Sequence, residues 1–470
     1  MKREPSTSRR AFLAAVAAAG TAGCSGLSRS GGETPTAQDS LSTPESATSK
    51  TATQPVTDPA TTTQTTATAT ETDTPTSEQR TATDTDSPTD AESSTETTGQ
   101  TDTATFTGGD SATLSGQNSW PMFQFGAKNT GYSPVTNGPK KTPQEVWKFE
   151  TSAAGNQPRA TTPSTPIISN KSAYIRKSDE TIYALNAENG EEKWSQSISS
   201  REEDVNYGFS APAVVNGTVY AYNNRGEVHA LNARNGEMIW QQSMRRITGS
   251  SPTVVDGTVY ASAGSKVSAF AASDGTKQWG GSQSYSGGID ATPAVVNDTV
   301  FVGGGNALDV FAASDGTRKE WGFSEIAQEY SSVCISEESL YITDNSKLYS
   351  LSLEDGEKQW ESGLGNSNMN GSLTVSEETI YSGYELVAFN ADDGREKWSN
   401  KDIDMCNPVV AGDTVYAVER DPGILYALNP EDGGEKWKYD IGSEVYAAPS
   451  VVDGVVFVSG IDGSVRAISG

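Results

Sequence analysis

The sequence predicts an all-β protein, an eight-bladed β-propeller of four-stranded antiparallel blades closed by pairing its N- and C-terminal segments. Three observations predict it. Eight tryptophans, from Trp147 to Trp437, recur every 38 to 47 residues, a period that belongs to propeller blades or solenoid units. An apolar hairpin pattern of fixed length also recurs eight times. Between the units no run of ten residues carries the 3.6-residue apolar period of a helix, which excludes helix-pair solenoids.

In chain order, residues 1–24 read as an export leader. Ser8-Arg9-Arg10-Ala11-Phe12-Leu13 resembles the twin-arginine motif, and the Ala/Val/Leu stretch after it is too short and too weakly apolar to span a bilayer. The leader ends in Thr21-Ala22-Gly23-Cys24, which resembles a lipobox, although Thr21 replaces the usual aliphatic residue. Cys24 is therefore the expected lipid anchor and the only expected attachment to a membrane. Residues 25–117 are a Thr/Ser/Asp/Glu-rich linker. No aromatic residue lies between Phe12 and Phe106, so no packed core can form there. A flexible chain of that length spans about 50 Å on average.

The foldable part, residues 118–470, contains all nine Trp and all seventeen Tyr. In its repeats a Pro precedes an aliphatic pair, a turn and, eight residues on, an aromatic ring; Pro212 to Tyr220 is the clearest copy. Its Asn216-Gly217 reads as a two-residue hairpin turn, whose central positions both need positive φ. The spacing holds in all eight copies, with Val333 and Leu373 in place of Pro in two of them. A third run and a Gly-containing turn then lead into a fourth strand bearing the Trp. The last unit has three strands, and Glu145-Val146-Trp147-Lys148-Phe149 has the signature of a fourth without strands before it. Pairing the two completes the eighth blade and removes an open sheet edge.

Across the third and fourth strands, a small residue is followed by a Gly six later and a Trp four after that. Ala184, Gly190 and Trp194 show the triad, as do Ala230, Gly236 and Trp240; Ala269, Gly275 and Trp279; Ala388, Gly394 and Trp398; and Ala427, Gly433 and Trp437. Ser350, Gly356 and Trp360 carry Ser for Ala, and Val310, Gly316 and Trp321 hold one extra residue. The Gly allows the tight turn and leaves room for an indole to lie on the backbone. This pattern resembles the tryptophan-docking motif of pyrroloquinoline-quinone (PQQ) repeat propellers and covers nearly all of residues 120–470. That family contains quinoprotein dehydrogenases and also non-enzymatic lipoproteins similar to the outer-membrane assembly factor. Trp120-Pro121-Met122-Phe123 and Asn129-Thr130-Gly131-Tyr132-Ser133-Pro134 are likewise similar to the opening segment of many secreted members.

Charge narrows the function. The net −27 divides into +3 over residues 1–24, −11 over 25–117 and −19 over 118–470, where 27 basic residues face 46 acidic ones. Phosphate recognition needs clustered Lys and Arg, so nucleic acid and anionic membranes are excluded as partners. Such acidity fits a halophile, with a haloarchaeal source as the expectation, because concentrated salt screens close carboxylates. With one His and three Cys, a zinc site is excluded. His229 is expected to be an ordinary surface strand residue. Cys334 and Cys406 fall a whole blade apart and are expected as free, buried thiols.

Two functions remain. A dehydrogenase resembling the family's enzymes would hold PQQ and Ca²⁺ on the axis. Against it stand the lack of a Cys-Cys pair and connections too short to roof a cofactor; carboxylates such as Glu202, Glu203, Asp204, Asp402 and Asp404 fit an acidic surface. The favoured expectation is a binding platform, non-enzymatic and cofactor-free. It would be exported, anchored on the outer side of the cytoplasmic membrane, monomeric, and would hold a protein or glycan at the cell surface. The two longest connections, Lys148 to Thr165 and Ser195 to Ala211, bring Arg159, Arg201, Tyr207 and Phe209 as candidate contacts, since aromatic and Arg residues anchor interfaces.

Overall fold

The computed structural model describes residues 105–108, 114, 118–150, 163–199, 210–244, 250–264, 266–282, 291–304, 307–321, 323, 333–344, 346–364, 372–383, 385–404 and 407–470. All lie in the unit Thr95–Gly470. The leader residues Arg9, Arg10 and Cys24 fall outside them.

The first blade runs Ile167–Ser169, Ser172–Arg176, Thr181–Asn186 and Glu192–Ser197, each strand antiparallel to the next. Further blades follow over 213–243, 253–282, 294–323, 334–363, 373–404 and 409–440. The last, Ser450–Val452, Val455–Ser459 and Ser464–Ser469, takes Gln144–Glu150 as its outer strand, with Trp147 opposite Ala467. Its inner strand also meets the inner strand of the first blade, so the eight sheets form a closed ring. Closure by the two ends is thus as the sequence predicts. Thr105–Gly108, inside the stretch read as linker, adds a fifth strand outside Gln144–Glu150.

Local chemistry explains the blades. The three inner strands are short, β-branched and largely buried, while the outer strand alternates; in Glu192–Ser197 the buried residue is Trp194. Inner hairpins turn through Asn216-Gly217, Asp256-Gly257 and Asp453-Gly454, every one of these residues at φ between 46° and 83°. The fourth blade departs from the pattern. Among the described residues three of its strands form a sheet, and its outer segment touches the third strand through the isolated bridges Leu308–Phe323 and Phe311–Arg318. The extra residue before Trp321 breaks the register there.

Adjacent blades are joined by the indoles. Trp194 lies on Gly236 of the next blade, whose φ is +74°, and donates its Nε1–H to the Ala233 carbonyl at 3.0 Å. Trp147 likewise donates to Ala187, Trp240 to Ala272, Trp279 to Ala313, Trp360 to Ala391 and Trp398 to Pro430, and Trp437 donates to Pro139 in the segment before the closing strand, all within 3.1 Å. Trp321 lies on Gly356, yet its Nε1 has no acceptor among the described residues. Six of the eight indoles are buried, while Trp321 and Trp360 are half-buried.

Residues 118–138 form a strap around the inner edge of the ring. Trp120 accepts the N–H of Ile168 at 3.0 Å, Pro121 that of Val214, Ala127 that of Val295, Lys128 that of Ile335, Thr130 that of Val375 and Gly131 that of Val410. Val254 meets Met122 Sδ at 3.4 Å, and Thr136 Oγ1 donates to the Val451 carbonyl at 3.1 Å. These eight residues hold one position, two after the Pro of each repeat, where the inner strand has no neighbour on its bore side. The strap supplies the partners that edge needs. It begins where Asn118 donates to Asp453 and ends where Gly454 N–H donates to the Asn137 carbonyl, on one hairpin of the closing blade. It therefore makes one full turn.

Between its third- and fourth-blade contacts the strap folds inward, with Gln124 and Phe125 at φ 48° and 73°. Phe125 packs edge-on against Trp120 at 5.2 Å. Gln124 is 2% exposed, and its Oε1 lies beside Gly131 and the Thr374 hydroxyl of the sixth blade.

Candidate functional site

The contacts predicted from the two longest connections, Arg159, Arg201, Tyr207 and Phe209, lie outside the described residues, as does Cys406. Cys334 is a buried free thiol whose pKa is pushed up by burial. Among the described residues no three His, Cys, Asp or Glu side chains gather so as to hold a metal ion, and no helix is long and apolar enough to cross a membrane.

His229 corrects an expectation. It is 3% exposed rather than on the surface, and Tyr183, Ser268, Asp309, Tyr349, Val387 and Arg466, its equivalents in other blades, are buried too. The position faces the neighbouring blade. Its chemistry varies because each blade gives its own partner: Tyr349 donates to Asp344 at 2.8 Å, Tyr426 to Glu419 at 3.0 Å, and Arg466 to Asp462 at 2.9 Å. Among the described residues His229 has Glu227 alone as an ion-pair partner, with Nε2 at 3.9 Å, and neither ring nitrogen is hydrogen-bonded. Burial pulls its pKa down to about 4, with nearby Arg176 adding to the depression and Glu227 opposing it.

A concave site opens on the strap side, between the fifth and sixth blades. It is a cleft of about 880 Å³. One wall is the strap, through Lys128, Thr130, Tyr132 and Pro134. The others are the inner hairpins of the two blades, whose tips are Glu337-Glu338 and Glu377-Glu378. Trp360 and Tyr341 stand beneath, and Asp392 closes the far rim. The half-buried state of Trp360 follows from this opening.

The tips are held by the backbone. Leu353 N–H donates to the Glu338 carbonyl at 3.1 Å and Ala391 N–H to that of Glu378 at 3.0 Å, as Ala233 N–H does to Gly217 in the second blade. The side chains therefore point outward, and all four glutamates are exposed. Among the eight inner hairpins, all described, only these two adjacent ones carry two acids at the tip. At the seventh tip Asp413 has Lys436 at 3.8 Å, and Glu188 beside the first tip has Lys171 at 2.9 Å. The outer-strand place filled by Lys193, Lys397 and Lys436 is Gln359 in the fifth blade, where it bonds Ser339 and Ser350 instead. Tyr132 registers the resulting field: burial, then the Glu377 carboxylate, raise its pKa.

The sequence reading passed over this cleft. The signal was present in Ser336-Glu337-Glu338-Ser339 and Ser376-Glu377-Glu378-Thr379, which depart from the Asn-Gly type of turn in the same register. That the strap brings a third wall to them is visible only in three dimensions.

Comparison with known proteins places the chain. A family profile described as outer membrane protein assembly factor BamB matches residues 130–290, 247–362, 336–408 and 385–470. BamB of Yersinia pestis is 32% identical over 110 residues, 21% of this chain and 28% of that protein. BamB of Alkalilimnicola ehrlichii is 29% identical over 135 residues, 26% of this chain and 35% of that protein, so neither match spans half of the relative. Among solved structures, BamB from Moraxella catarrhalis superposes with a TM-score of 0.56 at 16% identity, over 70% of this chain and 98% of that one. A quinohemoprotein alcohol dehydrogenase from Pseudomonas putida HK5 gives 0.63 at 14% identity, over 75% and 80%. At these identities the structural likeness is one of fold.

Proposed function

Because the chain belongs to the family of the outer membrane protein assembly factor BamB, whose profile covers its whole repeat region, we propose that it is a non-enzymatic scaffold that holds a partner protein outside the cytoplasm. In this reading the twin-arginine leader exports it, Cys24 anchors it, and the linker over 25–117 carries the propeller away from the membrane. The supporting observation is the cleft between the fifth and sixth blades, a concave surface built by three separate segments on a ring locked by indoles and a strap. Such a surface is preorganised, so little ordering entropy opposes association.

The dehydrogenase reading implies PQQ and Ca²⁺ on the axis. The scaffold is favoured over it because, among the described residues, no three carboxylate, imidazole or thiolate side chains gather so as to hold a metal ion.

Photocrosslinking on intact cells tests the scaffold. A photoreactive residue in place of Ser336, half-buried at the cleft rim, is expected to capture a discrete protein identifiable by mass spectrometry. Adducts no different from those of the same probe at Asn235, on an exposed turn of the second blade, would reject the reading. Titration of the purified protein with PQQ and Ca²⁺, followed by the quinone's absorbance, is expected to show no saturable binding.

A further inference from the structure

We infer that the cleft between the fifth and sixth blades receives a lysine- or arginine-bearing segment of the partner protein; this rests on the scaffold reading. Three features specify that chemistry. The first is shape: about 880 Å³ accommodates several side chains rather than a single ion. The second is charge. Glu337, Glu338, Glu377, Glu378 and Asp392 surround a space in which Lys128 is the one cation, and none of the five carboxylates forms an ion pair among the described residues. In the seventh blade Lys436 lies 3.8 Å from the tip acid Asp413; the same outer-strand place is Gln359 in the fifth blade, and in the sixth it is Lys397, which bonds the Thr379 hydroxyl rather than the Glu377 or Glu378 carboxylates. Their mutual repulsion is relieved by a cation arriving from outside.

The third feature is the aromatic lining. Trp360 and Tyr132 are half-buried and line the same opening. An ammonium or guanidinium group gains from an indole or phenol face as well as from a carboxylate, and the stems of Lys and Arg gain from the apolar surface of Pro134 and Val375 beside them. A hydrated metal ion would use only the carboxylates. The combination of acid and ring selects an organic cation on an apolar stem, which in a partner protein means Lys or Arg.

The test uses the purified full-length protein and two acetylated, amidated pentapeptides, Gly-Lys-Arg-Lys-Gly and Gly-Glu-Glu-Glu-Gly, in isothermal titration calorimetry. The basic peptide is expected to bind with one saturable site and the acidic one not at all. Combining Glu337→Gln, Glu338→Gln, Glu377→Gln and Glu378→Gln is expected to weaken binding about tenfold, since several exposed ion pairs are lost together. A control with the same charge loss, Glu191→Gln, Glu192→Gln, Glu237→Gln and Glu396→Gln, removes exposed carboxylates outside the cleft and is expected to shift affinity by less than about twofold. Equal weakening in both variants would overturn the proposal, because net charge alone would then explain binding; so would absence of saturation. The cleft variant in the cellular crosslinking experiment separates the two readings. Adducts retained in full by that variant overturn the cationic segment and leave the scaffold standing, whereas adducts lost from that variant alone support both.

Discussion

Two glycines with nearly the same backbone allow the indole joints to be weighed. Gly217 and Gly236 sit at φ +76° and +74°, but a Cβ on Gly217 would meet nothing within 4 Å, while one on Gly236 would stand 2.7 Å from Trp194 Cε3 and 3.0 Å from Cδ2. Gly217→Ala therefore carries only the left-handed backbone penalty, about 1–2 kcal/mol. Gly236→Ala carries that penalty and also forces the ring off its seat, with an overpacking cost of about 1–3 kcal/mol more. The difference between the variants is the packing contribution of a single joint. Guanidinium unfolding followed by far-ultraviolet circular dichroism measures it, provided the denaturant slope is unchanged. In a Trp194→Ala background, itself about 3–5 kcal/mol less stable, the excess cost of Gly236→Ala is expected to vanish. Equal losses for the two glycine variants in the wild-type background would refute the view that indoles seated on glycine hold the blades together.

Other consequences follow from single residues. Trp240→Ala, which loses a buried ring bonded to Ala272 at 2.9 Å, is expected to cost about 3–5 kcal/mol, and Trp321→Ala, half-buried and without an acceptor among the described residues, about 1–2 kcal/mol, in the same unfolding assay. Gly131→Ala, at φ +63° against Gln124 and Thr374, is expected to loosen the strap and speed hydrogen exchange at Val375 and Val410, whereas Gly126→Ala, with open space around it, leaves both unchanged. His229 makes stability depend on pH. Its pKa is about 4 when folded and about 6.5 when unfolded, so the unfolded chain binds the proton first. Stability is then full above about pH 6.5 and falls by about 3 kcal/mol as pH drops towards 4. His229→Gln is expected to flatten that slope in pH-dependent melting, and an unaltered slope would assign the acid sensitivity to other groups.

Much of the architecture was legible in the letters because it rests on local rules repeated eight times. Asn216-Gly217 and Asp453-Gly454 need positive φ, the Trp-to-Gly spacing needs a turn of one length, and an unpaired strand at Glu145–Phe149 needs a partner. His229 was misjudged because a variable position looks exposed in one dimension. In the ring that variability reflects the different partners each blade supplies from its own hairpin, as with Tyr349 on Asp344 and Arg466 on Asp462. The cleft was hidden for another reason. Two acidic turns some forty residues apart become one site only when blades stand side by side, and Tyr132 joins them through a strap without periodicity. The extra residue at Trp321 was counted correctly, but its effect on the outer strand depends on how the register accommodates it.

The circular course of residues 118–138 has a consequence for the order of events in the chain's life. This stretch is synthesised before any blade, yet its hydrogen-bonding partners, from Ile168 to Gly454, are spread over nearly three hundred later residues. It has no complete seat until the final hairpin has been made. What emerges first must settle last, so a seated strap certifies that every sector of the disc is present and in sequence.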